Sequence, residues 1–153
     1  MEVNRFNIRV YGILINEDKQ ILLTDELIKG RGITKFPGGG LEFGEGTIEC
    51  IKREFREETT NEIEVTEHFY TTDYFQASAY DAKHQIISIY YLVKPVSTFQ
   101  IKCTDKTFDF GPDKRYVQTF RWIDINNISE NDLTLPIDKI VGRMIKERQN
   151  PDS

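Results

Sequence analysis

The sequence predicts an α/β (α+β) fold with several short strands, one helix in the middle of the chain and one near its end. Strands are indicated by runs rich in β-branched and aromatic residues, which turn signals separate. The middle helix is indicated by residues 47–59, which lack Gly and Pro and have apolar residues at helical spacing. The second helix is indicated by Pro136 at its start and basic residues near its end.

Three strands are predicted in the first part of the chain. Phe6–Ile15 alternates in part and is rich in β-formers, and residues 16–18 form a turn from which Gln20–Thr24 returns. Ile33–Phe36 follows a loop. The run from Pro37 to Gly40 is then expected to break regular structure.

The rest of the chain alternates strands and helices. The helix over residues 47–59 has a predicted core stripe of Ile48, Ile51 and Phe55. Residues 100–115 are polar and predict a long loop, whereas Gln85–Val93 is apolar enough to be a central strand. The other predicted elements are the strands Ile63–Tyr74 and Tyr116–Ile123 and a helix from Pro136 with an apolar stripe of Ile137, Ile140, Val141, Met144 and Ile145.

Length and charge limit the function. The 153 residues suit a single domain, 1–153, and carry 20 Lys and Arg against 25 Asp and Glu, a net charge of −5. Without a basic tract, nucleic acid is not an expected partner. The longest apolar runs, Val10–Ile15 and Ile86–Val93, are far below the roughly 20 residues of a membrane helix. With no signal-like N-terminus and only two cysteines, we expect a cytoplasmic protein.

One segment accounts for the whole charge imbalance. Glu42–Glu67 contains nine Glu and three Lys or Arg, a net charge of −6, and the remainder of the chain sums to +1. On a helical wheel, Glu54, Glu57 and Glu58 share one face, beside the apolar stripe. They repel one another and lie at the negative end of the helix dipole. A divalent cation reverses both penalties, although an acidic helix face is more often a solvated surface.

The spacing of these residues carries a resemblance. Gly39, five residues, Glu45, seven residues and then Arg53-Glu54-Phe55-Arg56-Glu57-Glu58 resembles the Nudix box, GX5EX7REUXEEXGU with U a bulky aliphatic residue, if Phe55 is allowed as the bulky apolar one. The preceding Phe36-Pro37-Gly38 and the late Trp122, followed by a C-terminal helix, are also similar to Nudix (MutT-like) hydrolases. The resemblance therefore extends over most of the chain.

Two departures from the family pattern stand out. Thr60 and Asn61 replace the Gly and the aliphatic residue that end the box. We expect Asn61 to adopt the left-handed conformation and Ile63 to take the aliphatic role. In addition, Gln118 and Thr119 stand where many members have a further Glu before the Trp. The substitutes that the long loop offers as metal ligands or base are Asp105, Asp109 and Asp113.

The resemblance implies a Nudix-type α/β/α sandwich, a mixed β-sheet flanked by the box helix and a C-terminal helix. It also implies an enzyme dependent on Mg²⁺ (or Mn²⁺) that cleaves a diphosphate linkage in a nucleoside diphosphate derivative, by attack of water on phosphorus. The partner would be a small-molecule nucleotide substrate, and a homodimer stays open because many relatives dimerise.

By the same resemblance, specific residues receive roles. The implied metal ligands are Glu57, Glu58, Glu54 and the carbonyl of Gly38. Glu54 is a ligand or the general base, and Glu45 contacts metal-bound water. Arg53 would hold a glutamate by a bidentate pair. The implied catalytic residues are therefore Glu54, Arg53 and Glu45.

Substrate contacts are less well determined by the pattern. Lys35 and Arg9 could reach phosphates, although solvated surface is the commoner role of single charges. Phe75 lies in a group of aromatic residues that could include a stacking platform for a base, although ordinary sheet packing explains each of them as well. The other members of the group are Tyr70, Tyr74, Tyr80 and Tyr90.

Two competing interpretations remain. A catalytically weak nucleotide-binding or sensing module of the same fold would be expected to have lost box carboxylates, which are all present here. A Nudix-type isomerase of isoprenoid diphosphates would need an activated cysteine, and neither Cys50 nor Cys103 stands in such a motif.

Overall fold

The computed structural model describes residues 2–110 and 118–150. Strands dominate the described chain, with one helix in the middle and one at the end. In chain order they are β1 (Arg5–Leu14), β2 (Gln20–Ile28), β3 (Arg31–Lys35), β4 (Gly38–Gly40), α1 (Thr47–Thr59), β5 (Ile63–Thr71), β6 (His84–Pro95), β7 (Gln118–Asp124) and α2 (Pro136–Gln149), with a short 3₁₀ turn at Glu130–Asp132.

The chain forms two compact units. The first contains the chain up to Ile13 together with Pro37–Phe99, and the second contains Leu14–Phe36 and the chain from Gln100 onward. A four-stranded sheet in the order β4-β1-β6-β5 belongs to the first unit, and a three-stranded sheet in the order β3-β2-β7 to the second. The α/β (α+β) class with two helices is confirmed, and β6 lies inside its sheet, as expected of a central strand.

In the first unit, α1 packs directly on the backbone of β1. A Cβ atom at Gly12 would lie only 2.6 Å from Cε2 of Phe55 and 3.3 Å from Cγ1 of Ile51. Both helix side chains are completely buried, which contributes about 1.5–3 kcal/mol each. Ile48 was expected in the same stripe, but its side chain is 44% exposed. A helical wheel gives direction only, and Ile48 lies in the first turn, ahead of the part of the helix that packs on the strand.

The glycine run forms a strand, so the expected break in regular structure is wrong. Gly38–Gly40 pairs antiparallel with β1, with Gly40 opposite Arg9 and Gly38 opposite Tyr11. Pairing with a neighbouring strand overrides the weak strand preference of glycine, because β-propensity depends on context.

The end of α1 also differs from the expectation. Thr60, rather than Asn61, adopts the left-handed conformation, with φ of 59° and ψ of 15°, and its N–H donates to the carbonyl of Arg56 at 3.0 Å. Asn61 instead donates its side-chain amide to the carbonyl of Thr59 at 2.8 Å. Ile63 is buried at the start of β5, as expected of the residue that takes the aliphatic role.

A buried carboxylate organises the second unit. Asp25 on β2 is fully buried and accepts hydrogen bonds from Thr34 Oγ1 at 2.6 Å and Arg121 Nε at 2.8 Å. It also accepts the backbone N–H of Phe108 at 3.3 Å. The three contacts tie β2 to β3, to β7 and to the irregular segment before residue 111, so the charge of Asp25 is compensated by Arg121 within the fold.

The structure describes only the first part of the loop that was predicted over residues 100–115. Residues 100–110 contain neither a helix nor a strand, apart from an isolated bridge between Cys103 and Phe120. The remainder of the predicted loop lies outside the described residues, as does Tyr116, where the last strand was expected to begin.

The C-terminal helix follows the sequence pattern closely. Pro136 occupies its first turn, and Ile137, Val141 and Ile145 are buried. The other two members of the stripe, Ile140 and Met144, are partly exposed. Within residues 2–110 and 118–150, no helix has both the length and the apolar character needed to cross a membrane.

Replacing Thr60 by Gly should stabilise the protein. A β-branched residue in the left-handed region is strained by roughly 1–2 kcal/mol, and the flexibility that Gly adds to the unfolded chain offsets part of that gain. We expect the free energy of unfolding, measured by urea denaturation, to rise by about 1 kcal/mol. Asn61→Gly is the control and should lower it, because Asn61 has no positive φ and loses its contact to Thr59. A stability loss in Thr60→Gly would contradict the strain.

Candidate active site

The candidate site is built on α1. The helix begins after Gly46, whose N–H donates to Glu49 Oε1 at 3.1 Å. Thr47 Oγ1 lies 2.6 Å from Tyr91 Oη and links the first turn to β6. With Phe55 fixed in the core, the polar residues of the same helix are held away from β1 at set angles.

Arg53 is the centre of the site. Its Nε and Nη2 donate to the two carboxylate oxygens of Glu45 at 2.9 and 2.8 Å, a bidentate pair. Its Nη1 donates to Glu54 at 3.2 Å and to Glu57 at 3.1 Å. The expected bidentate pairing of Arg53 with a glutamate is therefore present, and the glutamate is Glu45.

Contacts of Arg53 to Glu42 and to the backbone were not anticipated from the sequence. Nη2 donates to the carbonyl of Gly40 at 3.1 Å, and Nη1 lies 3.6 Å from Glu42 Oε1. Glu42 stands three residues before Glu45, and its backbone N–H donates to Glu45 Oε1 at 3.0 Å. The sequence shows only two acidic residues three positions apart ahead of a helix. The structure of the turn shows that both side chains reach Arg53.

The arginine keeps Glu45 ionised. Hydrogen bonds from Arg53, and secondarily from the backbone of Glu42, lower the pKa of Glu45 from 4.5 to about 2. The same hydrogen bond raises the pKa of Arg53 above its ordinary value. Both groups are therefore charged at every pH at which the protein is expected to work.

The glycine strand lies against one carboxylate. A Cβ atom at Gly39 would lie 2.5 Å from Glu54 Oε1, so only glycine lets this carboxylate rest on the backbone of β4. The side chain of Glu54 is 13% exposed, against 58% for Glu57. Gly38 is buried and has φ of +148°, in the register position opposite Tyr11.

The donors suit a hard divalent cation. One guanidinium faces the carboxylates of Glu42, Glu45, Glu54 and Glu57, so negative charge is in excess, and carboxylate oxygens are the ligands that Mg²⁺ and Mn²⁺ prefer. Glu58, one position further along α1, is partly buried. Within the described parts of the chain, no three acidic, His or Cys side chains are arranged as a metal cage. The residues fit a cation by their chemistry, and Arg53 currently lies among them.

The predicted substrate contacts are found in different places. Arg9 belongs to the first unit, and its Nε–H donates to Tyr11 Oη at 2.7 Å. The Cζ of Arg9 lies 5.8 Å from the centroid of the Tyr11 ring. Phe75 is 60% exposed in the connection between β5 and β6. Lys35 belongs to the second unit, where it is buried and lies 3.5 Å from Glu26, so solvated surface was wrong for this lysine.

The aspartates of the long loop were named as substitutes for a missing glutamate, and those that the structure describes lie at the surface. Asp105 and Asp109 are exposed, and Asp109 accepts a hydrogen bond from Thr104 at 3.0 Å. Asp113 lies outside the described residues. Gln118 donates to Glu26 at 2.8 Å and thus takes part in the polar contacts of the second unit.

The comparison with protein families decides the identity. The model of the NUDIX domain matches residues 5–144. The chain belongs to the NUDIX family. It is thus a member of a family of hydrolases that act on pyrophosphate bonds in nucleoside diphosphate derivatives and that generally require divalent metal ions.

Solved structures share the fold of this NUDIX protein. The E. coli ORF135 protein is 18% identical with a TM-score of 0.70, covering 97% of this chain and 95% of its own. A NUDIX hydrolase from Nitrosomonas europaea is 21% identical with a TM-score of 0.68, covering 95% and 90%. The MutT protein from Methanosarcina mazei Go1 is 18% identical with a TM-score of 0.68, covering 96% of each chain. No curated protein matches the chain significantly.

The cysteines of this NUDIX protein offer no activated nucleophile. Cys50 is completely buried, and burial together with the neighbouring Glu45 raises the pKa of its thiol to about 12. Since the thiolate is the reactive form, Cys50 is inert at neutral pH. Cys103 is exposed, and the pKa of its thiol is also raised. Neither environment favours the isomerase alternative.

The pairing of Glu45 with Arg53 should make stability depend on acidity. A carboxylate with pKa about 2 in the folded state and near 4.5 in the unfolded state stabilises the fold above pH 4.5. That contribution is lost as the pH falls from 4.5 towards 2. We expect the free energy of unfolding to fall less steeply over this range in Glu45→Gln than in the unchanged protein, as urea denaturation at several pH values would show.

Arg53→Gln provides a second test, because Arg53 is the largest cause of the shift. Its profile should be flattened in the same way. Identical slopes in all three proteins would contradict the assigned contact.

Proposed function

We propose that this NUDIX hydrolase cleaves a diphosphate linkage of a nucleoside diphosphate derivative by attack of water on phosphorus, in a Mg²⁺- or Mn²⁺-dependent reaction. The observation that carries the proposal is the Arg53-centred cluster on α1, in which Glu45, Glu54 and Glu57 converge on one guanidinium. A structural helix gains little from such a concentration of like charge.

The proposed metal ligands are Glu57, Glu58 and Glu54, with the carbonyl of Gly38. A divalent ion bound there would neutralise the phosphate charge and orient water for in-line attack. The protein's own task is positioning. α1 holds the carboxylates in one helical register, and the backbone of Gly39 in β4 lies against Glu54.

Glu54 is our first choice as general base. Its carboxylate is fixed from two sides, by Arg53 at 3.2 Å and by the backbone of Gly39. A general base that is already held in one position loses less conformational entropy in the transition state than a mobile one. This favours proton transfer from a positioned water. Glu57 is more exposed and has the freedom to change partners, which suits a ligand better than a base.

Arg53 is a positioning residue in this proposal. All of its strong contacts are to carboxylates and to the Gly40 carbonyl, so its donors are engaged by the protein. The bidentate pair fixes Glu45, which remains ionised and available to a metal-bound water.

A nucleotide-sensing module is the second candidate, because binding and catalysis would use the same residues. The presence of all four box carboxylates favours the enzyme. Incubation with ATP, dGTP, ADP-ribose, diadenosine tetraphosphate and UDP-glucose, each with Mg²⁺, followed by chromatography of products, separates the two. Binding without product from any compound would favour the sensor.

Oligomeric state and location in the cell are also matters of proposal. A homodimer and a cytoplasmic location follow from relatives and from composition, respectively. Sedimentation equilibrium tests the first, and cell fractionation the second.

Removal of a single ligand charge should abolish most of the turnover. We expect Glu57→Gln and Glu58→Gln each to lower kcat/KM by roughly 100-fold or more, because an amide oxygen binds Mg²⁺ more weakly than a carboxylate. Initial rates at several Mg²⁺ concentrations provide the measurement, with circular dichroism to confirm the fold.

Glu49→Gln is the matched control, since it makes the same change on the same helix and keeps an acceptor for the Gly46 N–H. Its rate should be unchanged. Full activity with normal Mg²⁺ dependence in either ligand variant would refute the ligand assignment.

A pair of glycine variants tests the position of the base. In Gly39→Ala the new methyl group must displace the Glu54 carboxylate, which is at the flexible end of its side chain, so we expect a large loss of kcat with little loss of stability. In Gly40→Ala the nearest atom, Arg9 Nη1, lies at 3.7 Å, an ordinary contact, so the rate should hardly change. Equal rates in the two variants would exclude a positional requirement at Glu54.

A further inference from the structure

Among the described residues, the most exposed large apolar side chain is that of Phe43, in the turn that leads into α1. Its relative exposure is 110%, compared with 71% for Phe6 and 60% for Phe75. A phenyl ring left in water forgoes the stabilisation that burial would give. The packing of the described chain therefore does not account for an aromatic residue at this position.

The turn that carries Phe43 is held firmly. The backbone N–H of Glu42 donates to Glu45 Oε1 at 3.0 Å, and the N–H of Glu45 lies 3.4 Å from the carbonyl of Glu42. Gly44 closes the turn with φ of +88°, a conformation that glycine adopts without strain. The ring thus projects from a fixed base.

The same turn is attached to the candidate active site. Arg53 lies 3.6 Å from Glu42, the residue before Phe43, and 2.8 Å from Glu45, two positions after it, and it also contacts Glu54. One residue, Gly44, separates Phe43 from Glu45, so their Cα atoms are at most roughly 7 Å apart. A ligand with its phosphates at the glutamates therefore has Phe43 within the length of a nucleotide.

We propose that Phe43 is a substrate-binding residue whose ring stacks on the nucleobase of the substrate while the phosphate chain lies at the glutamate cluster. An uncharged aromatic face offers nothing to a phosphate but binds any base through its π-face. The inference rests on the proposed function, since it deepens the substrate class of the same site.

The first test separates the base from the phosphates. Kinetics are measured on the full chain with the nucleotides ATP, dGTP, ADP-ribose and UDP-glucose, and with inorganic tripolyphosphate as a competitive inhibitor, all with Mg²⁺. In Phe43→Ala we expect KM for the turned-over nucleotides to rise about 5- to 100-fold with kcat little changed. The inhibition constant of tripolyphosphate, which has no base, should stay the same.

Two further variants sharpen the result. Phe43→Trp keeps a stacking face and should hold KM within about threefold of the unchanged protein. Ile48→Ala removes another exposed apolar side chain of the same region and should change nothing. An unaltered KM in Phe43→Ala, or an equal loss for tripolyphosphate, would overturn the proposal.

A binding measurement works without turnover and distinguishes this proposal from the proposed function. The chain has a single tryptophan, Trp122, so Phe43→Trp adds one fluorophore whose quenching reports stacking. Saturable quenching by the nucleotides, absent in Ile48→Trp and in the unchanged protein, would support the stacking even if no compound is hydrolysed. Absence of quenching by every nucleotide would overturn it, as would a dimer that Phe43→Ala dissociates without any change in nucleotide binding.

Discussion

The guanidinium of Arg53 is the constraint on which the site depends. Four glutamates lie within its reach, and without a cation among them they would repel one another at short range. Arg53 is suited to this role because its planar donors satisfy both oxygens of Glu45 and still reach Glu54 and Glu57. The arrangement leaves negative charge in excess, and in the proposed function this excess would attract a metal ion to an otherwise anion-repelling site.

Arg53 can act in this way because the helix beneath it is fixed. Phe55 and Ile51 are pressed against the backbone of β1 at Gly12, and the polar face of α1 is then directed by helical geometry alone. β1 also pairs with β4, so one strand positions both the helix and the glycine backbone next to Glu54. The candidate site is consequently assembled within the first unit, and its geometry rests on a few close backbone contacts.

Local and tertiary effects can be separated at particular residues. The limits of α1, Thr47–Thr59, agree with the sequence pattern because they depend on spacing and on the absence of breakers. The glycine run was wrongly expected to be irregular, because its pairing partner lies almost thirty residues earlier in the chain. The exposure of Ile48 and the burial of Lys35 were missed for a related reason. The sequence pattern predicts which way a side chain points, but its burial depends on what the rest of the fold packs against it.

The family, the helix that bears the carboxylates and their common face could be predicted without the structure, because they follow from residue spacing along one short segment of the chain. Three features became visible in the folded chain alone: the contacts of Arg53 with Glu42 and the Gly40 carbonyl, the position of Glu54 against Gly39, and the left-handed conformation of Thr60 at the end of α1. The physical reason is that such contacts arise between segments brought together by strand pairing and core packing. Their distances depend on the whole first unit, and a local pattern of residues does not contain them.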